Sequence, residues 1–141
     1  MGDVSPGPRG LNAPVASSAG RLCDAVAALL GLRDVAEYEA QAAIDLEIAA
    51  GDRSAAALPY AIRQVDGLYV YDPRPTLAAV LEGVAAGVPT DTLAAAFHET
   101  VAEATRDLLT AVRAQVGTAV VCLSGGVMQN RRLATGLVDR L

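Results

Sequence analysis

The chain has 141 residues, 52% of them hydrophobic and 19% charged, a length that buries a core without disulfides and a composition far from that of disordered segments. Its 16 acidic against 11 basic residues, a net charge of −5, argue against a nucleic-acid partner, because phosphate-backbone binders cluster Lys and Arg. No apolar run approaches the ~20 residues that cross a bilayer, and the first residues, MGDVSPGPRG, have no basic stretch followed by an apolar one as in a secretory signal, so the expected compartment is the cytoplasm without membrane contact.

Residues 1–14 carry three prolines and three glycines without apolar periodicity and read as an extended lead-in, leaving 15–141 as one folded unit. Ser17 or Ser18 caps a helix over about 18–30, on which Leu22, Val26, Leu29 and Leu30 recur on one face before Gly31 stops it. Asp34 and Glu37 have capping-box spacing and open a second helix through Tyr38, Ala42, Leu46 and Ala50 up to Gly51. Leu58 to Val65 and Leu68 to Tyr71 flank Asp66-Gly67, a hairpin signal because Asp-Gly supplies the positive φ values of a two-residue turn. Pro59 places the first strand at an edge.

Asp72-Pro73-Arg74-Pro75 breaks the chain before a helix through Leu77, Val80, Leu81 and Val84 that stops at Gly87. The longest helix starts near Thr90 or Asp91 and keeps Leu93, Phe97, Val101, Ala104, Leu108 and Val112 on one stripe until Gly117. Thr118 to Leu123 is a continuous apolar run, the pattern of a strand covered on both faces, and Ser124-Gly125-Gly126 leads from it into a helix beginning at Val127. The pattern is α/β with helices dominant.

The Gly125-Gly126 turn would present backbone N–H groups at the start of a helix, where an anion such as phosphate is favoured; the plainer reading is a tight strand-to-helix turn, since neither a full dinucleotide glycine pattern nor a P-loop Lys is present. Asn130 could bond a sugar or base, while Arg131 and Arg132 read as solvated. Gly20 and Asp24 stand four apart on the first helix, where a ligand could pack on the glycine and give its hydroxyls to the carboxylate, or where Asp24 is merely surface. Glu39 and Gln41 read as polar surface on the same grounds. His98, the single histidine, reads as structural, and Cys23 and Cys122 as two buried thiols.

Three segments together, GLNAPVASSAGRLCDAVAALLGL at 10–32, YEAQAAIDLE at 38–47 and AVVCLSGGVMQNRRL at 119–133, with weaker support from PTDTLAAAFHETVAEA at 89–104, resemble the carboxyl-terminal part of the HypF-type carbamoyltransferases of nickel-iron hydrogenase maturation. The resemblance implies half of an actin, Hsp70 and sugar-kinase-like ATPase fold, related to the tRNA threonylcarbamoyl transferases and incomplete at both ends. It implies ATP with magnesium and carbamoyl phosphate as ligands, a carbamoyl adenylate as intermediate, and the carboxy-terminal cysteine of a HypE-like protein as acceptor. It carries Gly20 and Asp24 to the ribose, Gly125 and Gly126 to the phosphates, Asn130 close by, and Glu39 and Gln41 more weakly to the same pocket. No residue is carried over as a catalyst or as a metal ligand: the family's histidine pair and Asp-Gly-Gly segment have no counterpart in the 141 residues. The isolated chain is therefore expected to bind nucleotide weakly and to need other portions of its catalytic domain for turnover. The alternatives are a non-catalytic module that docks or complements a partner chain, and another nucleotide enzyme of the same fold. Three positions depart from the family pattern: Ala40 stands where a glycine is expected, Cys23 where a Phe is, and Met128 where a bulky apolar residue is.

Overall fold

A computed structural model describes residues 16–141; the extended lead-in expected at 1–14 lies outside the described residues. Helix α1 (Ala19–Leu29) begins where Ser18 accepts the Arg21 N–H on its hydroxyl at 3.2 Å. It ends with Gly31 at φ 68° and the Leu32 N–H on the Ala27 carbonyl, the αL stop that glycine makes without strain. Helix α2 (Gln41–Ala50) starts later than the Asp34/Glu37 spacing suggests. Ala40 lies at φ 63°, which no helix interior tolerates, and the Glu37 N–H is bound instead by the Gln41 side chain at 2.7 Å.

Strands β1 (Ala61–Val65) and β2 (Leu68–Asp72) pair antiparallel with Val65 opposite Leu68, and Asp66 and Gly67 both take positive φ, as a two-residue hairpin turn requires. The first strand is shorter than the run from Leu58. The Leu58 N–H bonds the Thr100 hydroxyl (2.7 Å) and the Pro59 carbonyl accepts from the Thr76 hydroxyl (2.9 Å), so side chains of neighbouring helices take the backbone groups that a partner strand would. Helix α3 (Arg74–Ala85) opens with Pro75 in its first turn. Gly83 has no side chain where α3 meets the next helix: a Cβ there would lie 2.6 Å from Leu93 Cδ2.

Helix α4 (Thr90–Val116) is the central element, packing on α2, α3, β1, β2 and the last helix. Its first half is buried on several faces rather than along one stripe, Ala94, Ala95 and Ala96 included, while its last turns are exposed. The alanines let neighbouring backbones approach from all sides. Val26, Leu46, Val80 and Phe97 fill the main core, and Leu133 and Leu137 pack on Ala102 in a second cluster against which Met128 leans.

The strand expected over Thr118 to Leu123 is not formed: these residues carry no sheet partner among the described residues, and all are exposed. The hairpin strands pair only with each other, and the apolar run joins neither of their outer edges. Cys122 is accordingly exposed, against the expectation of two buried thiols, whereas Cys23 is buried and its pKa is pushed up to about 11, chiefly by burial and then by neighbouring Asp24. After Gly125 comes a single 3-10 turn (Gly126–Gln129), not a continuous helix from Val127, and α5 (Arg131–Val138) begins anew beyond Asn130. No helix of the described residues is long and apolar enough to cross a membrane.

Candidate functional site

A cleft of about 510 Å³ opens where three separate stretches meet: the start of α1, the turn into α2, and the glycine turn before α5. All six candidate residues, Gly20, Asp24, Glu39, Gly125, Gly126 and Asn130, lie on its wall. Gln41 does not; it is 7% exposed and its side-chain oxygen holds the Glu37 N–H. In that position it shapes the turn that carries Glu39 and Ala40 to the cleft.

Each wall element has a local cause. Ser18 at the α1 cap and the bare Gly20 leave the first turn of α1 open, with nothing within 4 Å of a Cβ built on Gly20. Asp24 follows one turn later and pairs with Arg21 at 3.0 Å while staying partly exposed. Gly125 sits at φ 95°, ψ 164°, a region open essentially to glycine alone, and this conformation reverses the chain from the exposed 118–123 run into the 3-10 turn. Periodicity did not single out Ile44 and Glu47, which also line the cleft. Ala43 and Glu47 stand four apart on α2 with Ile44 beside them, and that shared helix face was the signal available for finding them.

Asn130 is on the wall, but its side chain is occupied: Oδ1 accepts the Leu133 N–H at 2.8 Å as the cap of α5, and Nδ2 donates to His98 Nε2 at 2.9 Å. Arg131 is solvated as expected, but Arg132 is not. Its guanidinium donates to the Gly51 and Arg53 carbonyls, both at 2.5 Å, and its backbone N–H bonds Glu47 at 3.1 Å, so it takes up backbone carbonyls of the turn that follows α2.

Chemically the wall combines hydroxyl acceptors (Asp24, Glu39, Glu47), bare backbone at two glycines, and an apolar side at Ala43 and Ile44. That set suits a ligand with sugar hydroxyls and an apolar ring. Among the described residues, Arg21 is the one cation on it, outnumbered by the three carboxylates. The described residues contain no group of three His, Cys, Asp or Glu side chains that could hold a metal ion.

Residues 6–141 match the family described as carbamoyltransferase, Kae1-like domain, second subdomain. The chain belongs to the HypF carbamoyltransferase family. It is 41% identical over 133 residues to carbamoyltransferase HypF of Rhodobacter capsulatus, covering 90% of this chain and 16% of that protein. With carbamoyltransferase HypF of Rhizobium leguminosarum bv. viciae it shares 40% identity over 129 residues, 91% of this chain and 16% of that one. The chain thus spans about a sixth of the length of the curated relatives it matches. Its fold superposes with a TM-score of 0.83 and 40% identity on a crystal structure of full-length HypF in the phosphate- and nucleotide-bound form, over 88% of this chain and 16% of that one. The helix-rich architecture is therefore part of the Kae1-like, ATPase-type α/β fold.

Against the glycine expected in the HypF pattern, Ala40 carries its Cβ at φ 63°, ψ 4° beside the cleft. An Ala40→Gly chain should gain about 1 kcal/mol from relief of the αL conformation, less the part that the freer unfolded glycine takes back. A urea midpoint that rises without a change in slope would show this; a midpoint that falls would mean the turn is not strained.

Proposed function

We propose that this chain forms one wall of the nucleotide site of an ATP-dependent carbamoyltransferase, which makes a carbamoyl adenylate from carbamoyl phosphate and ATP and passes the carbamoyl group to the carboxy-terminal cysteine of a HypE-type partner in hydrogenase maturation. The observation that carries the reading is the convergence of Gly20 and Asp24, Glu39, and Gly125 and Gly126, from segments about 100 residues apart in sequence, on one cleft. Adenylate chemistry asks little of protein acids and bases; it asks that phosphates and a labile carbamoyl group be held and kept from water. Asp24 would take the ribose hydroxyls, Ile44 the flat of the base, and the bare backbone at Gly125 and Gly126 the phosphates. Because the wall is acidic, magnesium bound to the phosphates would supply the charge neutralisation that Arg21 alone does not.

A nucleotide clamped from one side only is held weakly, so the isolated chain is expected to bind ATP-magnesium weakly and to turn nothing over. The exposed run Thr118 to Leu123 favours the related reading that this chain works by complementing a partner, whose strand would pair with it.

The test is an ATP-magnesium titration of the chain followed by amide NMR. Asp24→Ala should weaken binding about ten- to hundredfold, the worth of charge-assisted hydrogen bonds of about 1.5–3 kcal/mol. Gly126 has an ordinary φ and nothing within 4 Å of a built Cβ, so Gly126→Ala should keep or slightly raise stability and lower affinity only if a ligand comes against the backbone there. Unchanged affinity in both variants would end the site assignment.

A further inference from the structure

One buried group behind the cleft wall has no part in the reading above. His98 is 3% exposed on α4, its ring edge-on to Phe97, and both ring nitrogens are engaged: Nδ1 with the Ala94 carbonyl at 2.8 Å and Nε2 with Asn130 Nδ2 at 2.9 Å. The polarity of this chain of bonds follows from its two ends. The Leu133 N–H can only donate, so the oxygen of the Asn130 amide faces it. That turns the NH2 of Asn130 toward the ring, which makes Nε2 an acceptor. The ring proton is then on Nδ1, facing the Ala94 carbonyl, which can only accept. Every donor meets an acceptor only when the imidazole is neutral.

The link continues to the glycine turn. The Asn130 N–H bonds the Val127 carbonyl (3.1 Å) and the Met128 N–H bonds the Gly125 carbonyl (3.1 Å), so Asn130 fixes the corner between the 3-10 turn and α5. The His98–Asn130 bond therefore lies between the candidate cleft, on whose wall Asn130 stands, and a second cavity of about 470 Å³ that His98 lines.

We propose that His98 is a positioning residue for the nucleotide cleft, holding the Gly125-Gly126 turn through the Asn130 amide, and holding it only while its imidazole is neutral. This rests on the nucleotide reading. Protonation would set an Nε2–H against the Asn130 NH2, and rotating that amide to relieve the clash would leave the Leu133 N–H without its cap. The charged groups that share the cavity with His98 are Glu47 and Asp52 from the α2 side, Glu99 on α4, Arg131 and Arg132 on α5, and Asp139 and Arg140 in the turn after it. Glu99 is paired with Arg140 and Arg132 with backbone carbonyls. Burial first, and then Arg132, lower the His98 pKa, against the Ala94 bond and Glu47; the neutral form is thus the resting one near pH 7 and is lost as the pH falls.

The experiment measures ATP-magnesium affinity of the full chain from pH 8 to pH 5.5 for the wild type, His98→Gln and His98→Leu, with the Gly125 and Gly126 amide shifts recorded without nucleotide. Glutamine offers Asn130 an acceptor that does not titrate; leucine offers none. At pH 8 the expected result is near-normal affinity for His98→Gln and about a tenfold loss for His98→Leu, the worth of one hydrogen bond to a positioned group. The wild type should lose affinity toward pH 5.5 more steeply than His98→Gln, which controls for titration of the phosphates and carboxylates. Identical pH profiles for wild type and His98→Gln overturn the proposal, as does a folded His98→Leu chain with wild-type affinity and unmoved Gly125 and Gly126 amides. Should His98→Leu not fold, the comparison of wild type with His98→Gln decides alone. Absence of ATP binding by the wild type at pH 8 would instead sink the nucleotide reading, and the proposal that rests on it, even if the amide shifts still showed His98 coupled to the glycine turn.

Discussion

A Phe97→Ala chain is expected to lose about 3–5 kcal/mol of folding stability. Phe97 is the only phenylalanine and is 1% exposed at the crossing of α4 with the rest of the core. Its core cluster includes Ala27, Ala42, Ala50, Ala94 and Ala95 beside Leu and Val side chains. A core built on alanine has few long side chains able to swing into a vacated space, so the cavity would stay open rather than collapse. Against a total of about 5–15 kcal/mol for a domain, that loss would leave a substantial unfolded fraction. Urea denaturation followed by far-UV circular dichroism measures it, and a midpoint within error of the wild type would show that Phe97 is not the anchor of the fold.

Gly125→Val is expected to reduce ATP affinity by at least about a hundredfold, ~2.7 kcal/mol. The loss arises by either of two routes. At φ 95°, ψ 164° a β-branched residue is strained by about 1–3 kcal/mol, so the turn would move to another conformation and withdraw from the cleft. If it did not move, the side chain would enter open space, since no protein atom lies within 4 Å of a Cβ built there, and that space is where phosphates would approach. Unlike Gly126→Ala, this substitution should also lower the denaturation midpoint. A chain that loses stability yet binds ATP normally would mean that the ligand does not use this turn.

Much of the fold was legible because its stops are local. Ser18, Gly31, Gly87 and Gly117 end or open helices by their own conformational preferences, and Asp66-Gly67 makes its turn regardless of what surrounds it. The errors came where a distant group decides. The start of α2 is set by the Gln41 side chain reaching back to Glu37 and by an alanine in the αL region, a conformation that alanine does not advertise. The apolar run 118–123 reports a preference for burial, which becomes a strand only when a partner strand is present. Asn130 after a glycine turn reads equally as a ligand group and as a helix cap; what settles the use of its amide is His98, 32 residues away. The cleft itself joins stretches that no periodicity connects, so only the family resemblance anticipated their meeting. The role of Arg132 is not legible locally because the carbonyls it binds, just past the end of α2, are about 80 residues upstream.

The unpaired run TAVVCL has a consequence for handling the chain. It carries no charge and no proline, and Val120 is 76% exposed; such six-residue segments stack readily into intermolecular cross-β ladders. Its Cys122 thiol is accessible as well, so air oxidation would tie such contacts together covalently. Concentrated preparations should therefore cloud with age, and sooner without reductant, while the folded body of the molecule remains intact.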